Sequence, residues 1–164
     1  MANWDKLVAL LAEMAALYQA ILELSRQKRD ILIAVKPQDL EAVTKREELL
    51  ILQVGKLEAA RVKLMQQLVA ASGVSADGLT LTDVKRLAGP AIAEELDKVA
   101  ADFDRIMLEL APVNKLNAEL IQRALGFINY NINILTQSTT GPTYAPQGKG
   151  EPDSHVRKLV DQKI

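Results

Sequence analysis

The sequence predicts an all-α fold: an elongated antiparallel helical hairpin plus a long C-terminal helix, forming a three-helix, coiled-coil-like bundle with a mobile C-terminal tail. Along three long stretches, apolar residues recur at alternating spacings of three and four, as in a helix that buries one face. Aromatic residues make up only 4% of the 164 residues. Glycine and proline number 8 and 6, several of them near the C-terminus. This composition favours long packed helices over a sheet fold.

The first predicted helix covers about residues 3–35. Asn3 is a good N-cap, and Asp5 in the first turn favours the positive end of the helix dipole. The stretch 7–24 is apolar enough to resemble a membrane span, but two acidic residues interrupt it. Because its apolar residues recur at spacings of three and four, we interpret it as an amphipathic helix of a soluble protein, without stable membrane insertion.

The second predicted helix covers about residues 37–71. It follows a break at Lys36-Pro37, because proline restricts the residue before it and fits the first turn of a helix. So short a turn makes the first two helices antiparallel neighbours. Glu47 and Arg61 occupy places in the apolar seam, so each is expected to reach solvent or to meet a group on a neighbouring helix. Gly55 lies in mid-helix, where it permits close approach of another backbone.

A short helix over about residues 80–88, capped by Thr80 or Thr82, leads into a fourth helix over about 90–136. In the fourth helix, seam positions from Ile92 to Ile134 alternate at four and three and keep their phase through Pro112. We therefore predict one long helix, bent at this proline. Such a helix needs neighbours along its whole flank, and the rest of the chain is expected to supply them.

The last third of the fourth helix carries a second apolar stripe beside the seam, formed by Ile121, Leu125, Ile128, Ile132 and Leu135. Two stripes need more than two partner helices. Either helices of this chain or of a second copy cover the wider face, or the face docks a helix of another protein.

Residues 1–137 are predicted to form the helical bundle and residues 138–164 a flexible tail. Glycine, proline, serine and threonine dominate the tail up to Pro152, as in an extended linker. Val156, Leu159 and Val160 can form a final turn or two, which is too short for a stable helix alone.

Composition also narrows the class of function. The chain has 20 basic and 21 acidic residues, so no overall basic field is available to hold nucleic acid. It has no cysteine and one histidine, His155, which leaves no donor set for zinc or a transition metal. No phosphate-binding loop, metalloprotease motif or nucleophile elbow is present. We expect no enzyme activity, no cofactor and no nucleic-acid binding. A chain without cysteine fits the cytoplasm.

Short motifs follow one another in a fixed order along the chain. They are Lys28-Arg29, Asp39-Leu40, the run Lys45 to Leu50, Leu57-Glu58 with Arg61, the run Asn117 to Ile121, Ala124-Leu125, Phe127-Ile128, and Tyr144 before Gly148. Over nearly the whole chain, this combination resembles the FlgN family of flagellar type III export chaperones.

The resemblance implies a small cytoplasmic chaperone that binds the C-terminal helices of FlgK/FlgL-like hook-filament junction proteins. Such a chaperone masks these helices from premature assembly and delivers them to the flagellar export gate, through its component FlhA. By this resemblance, the candidate cargo contacts are Asn117, Leu120, Ile121, Ala124, Leu125 and Ile128; the second stripe adds Ile132, and Tyr144 is a candidate for docking at the gate.

Two points stay open at this stage. Asn117 lies in the seam, where a buried asparagine can instead fix the register of packed helices. We expect a monomer or a weak homodimer. The alternative function is that of a structural coiled-coil or adaptor protein that homodimerises through its C-terminal helix, and a tight dimer would favour it.

Overall fold

The computed structural model describes residues 2–71 and 79–138. It contains four helices: α1 (Ala2–Ala34), α2 (Pro37–Ala71), α3 (Leu81–Ala88) and α4 (Pro90–Ser138). These bounds lie within two residues of those expected from the sequence. The described residues contain no strand, and the helices pack against one another, so the predicted all-α fold is confirmed.

The chain divides into two compact units, Met1–Gly126 and Phe127–Ile164. Helix α4 continues from the first unit into the second. The boundary between bundle and tail, expected near residue 137, stays a prediction, because the residues after Ser138 lie outside the described part of the chain. The expected mobility of the tail and the short helical turn at Val156 to Val160 also fall there.

The turn between α1 and α2 is a Schellman motif with valine in place of the usual glycine. The N–H of Lys36 donates to the carbonyl of Ile31 at 3.2 Å, and the N–H of Val35 donates to that of Leu32 at 3.4 Å. Val35 has a φ of 54°, in the left-handed region that β-branched residues avoid. Pro37 then begins α2, as the break at Lys36-Pro37 predicted.

In the first unit, α1 and α2 form an antiparallel hairpin. Leu22, near the end of α1, lies in one core cluster with Leu50 and Val54 of α2. Leu7, near the start of α1, lies in another cluster with Leu68 of α2. Residue numbers therefore rise along α1 as they fall along α2.

Helix α4 runs parallel to α1 on the same core. The ring of Tyr18 meets that of Phe103 edge to face, with their centroids 5.7 Å apart, and further along both helices Ser25 contacts Asn117.

The short helix α3 has a complete N-terminal cap. The backbone N–H of Asp83 donates to the Thr80 hydroxyl oxygen, and the backbone N–H of Thr80 donates to the Asp83 carboxylate, which together form a capping box. The hydrogen bond from the Thr80 hydroxyl is the main cause that lowers the pKa of the Asp83 carboxyl. Val84 of α3 is buried in the cluster around Leu7, so the cap holds α3 against the start of the hairpin.

Helix α4 is continuous through Pro112, as the unbroken phase of its seam predicted; the bend expected there stays a prediction. Its seam is buried at Leu96, Ile106 and Leu110. Phe127, on the same seam, is 67% exposed. The expectation that the rest of the chain covers the seam along its whole length is therefore not met by the described residues at Phe127.

Two features of α2 were singled out in the sequence. The Arg61 side chain is 35% exposed, so it reaches solvent as expected, and its guanidinium pairs there with Glu58 one turn earlier on α2, at 2.7 Å. This pairing is the main cause that lowers the pKa of the Glu58 carboxyl. A Cβ atom added at Gly55 would meet no described atom within 4 Å. The described residues therefore do not use the close approach that Gly55 permits.

Candidate docking surface

A buried polar layer joins the three long helices in the first unit. On α1, the Ser25 hydroxyl donates to the Glu47 carboxylate of α2 at 3.3 Å, and the Lys28 ammonium pairs with the same carboxylate. On α4, the side-chain amide of Asn117 donates to the backbone carbonyl of Ser25 at 2.8 Å. Glu47 therefore meets groups on a neighbouring helix, as expected of a charge in an apolar seam.

Beside this layer, the Arg26 guanidinium of α1 pairs with Glu109 of α4 and with Glu23 of its own helix. Both pairs are partly exposed, so each adds little to stability. The pair with Glu109 links α1 to α4 beside the buried polar layer.

Predicted contact residues divide into buried and exposed positions. Asn117 is 3% exposed, so it offers no surface to a partner in this conformation, and its amide is engaged with Ser25 of α1. Leu120 and Ile121 are half-buried, whereas Ala124 is exposed. Leu125 has 53% of its surface exposed. Tyr144 lies outside the described residues.

In the second unit, the end of α4 exposes apolar side chains on most of its circumference. Ile128 and Ile132, both predicted contacts, are 50% and 51% exposed. We call the exposed apolar residues of this segment the terminal face; they are Phe127, Ile128, Tyr130, Ile132, Ile134 and Leu135. Apolar surface of this density on a soluble protein usually marks an interaction site.

The terminal face lies in a segment without charge. From Ala124 to Ser138 the sequence contains no Asp, Glu, Lys or Arg. It does contain Gly126 and three asparagines, which are weak helix formers. A solitary amphipathic helix would carry charges on its solvent side, so this segment lacks the charged face of an ordinary surface helix.

The comparisons with known proteins show the family of the chain. A family model described as FlgN protein matches residues 1–152. The chain belongs to the FlgN family. It is also 26% identical over 154 residues to a Bacillus subtilis (strain 168) protein named "Uncharacterized protein YvyG", covering 93% of this chain and 94% of that protein. No solved structure matches this chain.

Membership of the FlgN family indicates a chaperone role in flagellar export, and the family is one of soluble cytoplasmic chaperones and not of enzymes. In the described residues, no group of three or more His, Cys, Asp or Glu side chains comes together as a metal site. Two concave regions there are open grooves between helices, each lined chiefly by aliphatic side chains with one acidic and one basic residue. They do not bring together a nucleophile, a base and an oxyanion donor.

One described helix, over Asn3–Ala34 of α1, is long and apolar enough to cross a membrane by length and composition alone. In this FlgN-family chain, however, apolar side chains of α1 pack in the protein core. Leu7, Ile21 and Leu22 are each at most 6% exposed and lie in the two core clusters. This burial agrees with the interpretation of α1 as a core helix.

Sequence reasoning missed a second set of exposed apolar residues, on α2. Leu49, Ile51 and Leu52 are 61%, 55% and 63% exposed, and Leu49 lines a groove with Ala20 and Leu24 of α1. All three lie outside the α2 seam, and that spacing could have shown them. Leu49 and Leu52 are three residues apart and share one side of α2, whereas Ile51 lies on another. Charged residues flank them on α2, unlike the terminal face.

Proposed function

We propose that this chain is a cytoplasmic export chaperone that binds the C-terminal helices of FlgK/FlgL-like hook-filament junction proteins. It masks these helices from premature assembly and delivers them to the flagellar export gate through FlhA. The observation that carries the proposal is the terminal face, an uncharged and largely exposed helical surface in a chain of the FlgN family.

The mechanism is completion of a helical bundle and involves no chemistry. An amphipathic cargo helix that lies along α4 would cover apolar side chains that are now half exposed or more. Burying a side chain such as Phe127 or Ile128 completely contributes about 1.5–3 kcal/mol relative to full exposure. A few such contacts, reduced by the entropy lost on association, give a reversible complex, as a chaperone that must release its cargo requires.

The contacts we propose are those that the structure leaves accessible. In the second unit they are Ile128 and Ile132, with Phe127 beside them; in the first unit they are Leu125 and Ala124, with the half-buried Leu120 and Ile121. Asn117 is not included, because its amide is engaged with Ser25. Tyr144 stays our candidate for docking at FlhA.

The test is calorimetric titration of the full chain with a synthetic peptide that covers the C-terminal helix of a FlgK-like protein from the same organism. We expect one-to-one binding with a negative heat-capacity change, since the contact buries apolar surface. A scrambled peptide of the same composition, which lacks the apolar face, is the control and should not bind. Absence of binding by the true peptide would contradict the proposal.

The same sample can distinguish the chaperone from the alternative, a structural adaptor that homodimerises through α4. Light scattering on the chain without peptide should give the mass of a monomer or of a dimer that dissociates on dilution. A tight dimer in which Ile128→Asp prevents dimer formation would show that a second copy occupies the terminal face, and would favour the adaptor.

A further inference from the structure

The terminal face is followed by a stretch of the same chain that has the pattern to cover it. Residues 139–164 come after α4, and they lie outside the described residues. Within them, Val156, Leu159, Val160 and Ile164 recur at spacings of three, one and four, which places them on one side of a helix. Polar residues fill the positions between them, and all of these except Gln162 are charged.

We propose that residues 153–164 dock as a helix along the terminal face of α4, antiparallel to it, when no other partner is bound. The occupant is thus the chain's own C-terminal segment. The proposal goes beyond the export function and does not depend on it, because it concerns a contact within one chain.

Lengths are compatible with this arrangement. Residues 139–152 are rich in glycine and proline and can span about 45 Å when extended. The part of α4 from Phe127 to Ile134 is about 10 Å long, and a helix over 153–164 would be about 18 Å long. The linker is therefore long enough for the segment to turn back, and the segment is long enough to cover the apolar part of α4.

Charge also favours the antiparallel direction. Helix α4 has no basic residue in its last turn, so no cationic side chain of its own offsets the negative end of its dipole. An antiparallel segment would bring its positive N-terminal end to this place, with Arg157 and Lys158 in its first turns. The uncharged terminal face offers no charge that would oppose the contact.

Tethering makes even a weak contact significant. A segment joined by a short flexible linker is present at a local concentration on the order of millimolar. The last residues are too few for a stable helix alone, so they would fold only against α4. Under this proposal, only the linker, residues 139–152, would be flexible in the tail. A partner helix that binds the terminal face would have to displace residues 153–164.

The absence of cysteine from the chain allows a direct test. Spin labels are attached at Asn133→Cys, on the side of α4 away from Ile128 and Ile132, and at Gln162→Cys, outside the apolar positions of the tail. Pulsed dipolar spectroscopy on the full chain then gives the distribution of distances. We expect a narrow distribution, unchanged when the labelled chain is diluted with unlabelled chain.

Introducing Leu159→Asp and Val160→Asp into the labelled chain should broaden the distribution to that of a coil, whereas Gln147→Asp in the linker should leave it narrow. A broad distribution in the chain without these substitutions overturns the proposal. A narrow one that disappears on dilution also overturns it, because the segment would then come from a second copy. The labels report docking whether or not a flagellar cargo binds, so the two proposals fail separately.

Discussion

Asn117 of α4 donates a hydrogen bond to the backbone carbonyl oxygen of Ser25 in α1, at 2.8 Å. The two residues are 3% and 0% exposed, and among the described residues the Asn117 Oδ1 atom has no hydrogen-bond partner. The amide thus gives up half of its hydrogen-bonding capacity on burial. A contact of this kind selects one register of α4 along α1 and does little for stability.

Replacing Asn117 by leucine should therefore leave the free energy of unfolding unchanged or raise it by about 1 kcal/mol, because an unsatisfied buried oxygen is removed. Urea unfolding measures this change. Asn117→Asp is the control, and it should destabilise strongly because it buries a carboxylate without a partner. A fall of more than about 2 kcal/mol for Asn117→Leu would show that the hydrogen bond itself holds the helices together.

The turn after α1 provides a second prediction. Val35 adopts a left-handed conformation that costs a residue other than glycine about 1–2 kcal/mol. Val35→Gly should therefore raise the free energy of unfolding by about 1 kcal/mol, despite the greater freedom of glycine in the unfolded chain. Lys36→Gly, next to it, should lower it, since Lys36 has no positive φ to relieve. Equal destabilisation by both substitutions would contradict the claim that the backbone at Val35 is strained.

The Lys28–Glu47 pair tests the polar layer. Its side chains are only 16% and 12% exposed, so Lys28→Met or Glu47→Met alone should cost about 3 kcal/mol by leaving one charge without its partner. The double substitution should recover most of that loss. Glu41→Met, which breaks the exposed pair with Lys45, is the control and should change stability by at most about 0.5 kcal/mol. Additive losses at Lys28 and Glu47 would show that the two charges are not coupled.

Two leucines on α4 allow its buried side to be compared with its exposed side. Leu110 is 6% exposed and Leu108 is 78% exposed. Leu110→Ala should cost about 2–5 kcal/mol of unfolding free energy, because it leaves a cavity in the core, whereas Leu108→Ala should cost no more than about 0.5 kcal/mol. Thermal or urea unfolding of the two variants compares them directly, and similar losses would mean that Leu108 is covered in solution.

The sequence predicted the helices and their buried faces because both follow from the spacing of apolar residues. The seam positions Leu96, Ile106 and Leu110 are buried as expected. Spacing could not show where the cover ends, since Phe127 continues the same phase and is exposed. Burial depends on contacts between residues far apart in sequence, such as that of Ser25 with Asn117 in the first unit, and the spacing of apolar residues does not contain them.

Among the predicted contacts, Leu125, Ile128 and Ile132 are accessible because their stripe lies beside the seam at the end of α4. Asn117 matched the motif equally well but is buried, and residue type alone could not separate its two roles. The pairing of Arg61 with Glu58 was open to prediction, because the two are three residues apart on one helix. The exposed patch around Leu49 could also have been found from its place outside the seam.

The most direct test of the account compares Ile128→Asp with Leu108→Asp in calorimetric titrations of the full chain with a FlgK-like C-terminal helix. Both substitutions place a carboxylate at an exposed apolar position of α4, so melting temperature and helicity should stay close to those of the unsubstituted chain. Ile128→Asp should weaken binding at least about tenfold, or 1.4 kcal/mol, and Leu108→Asp should not. Unchanged affinity in a well-folded Ile128→Asp variant would contradict the account.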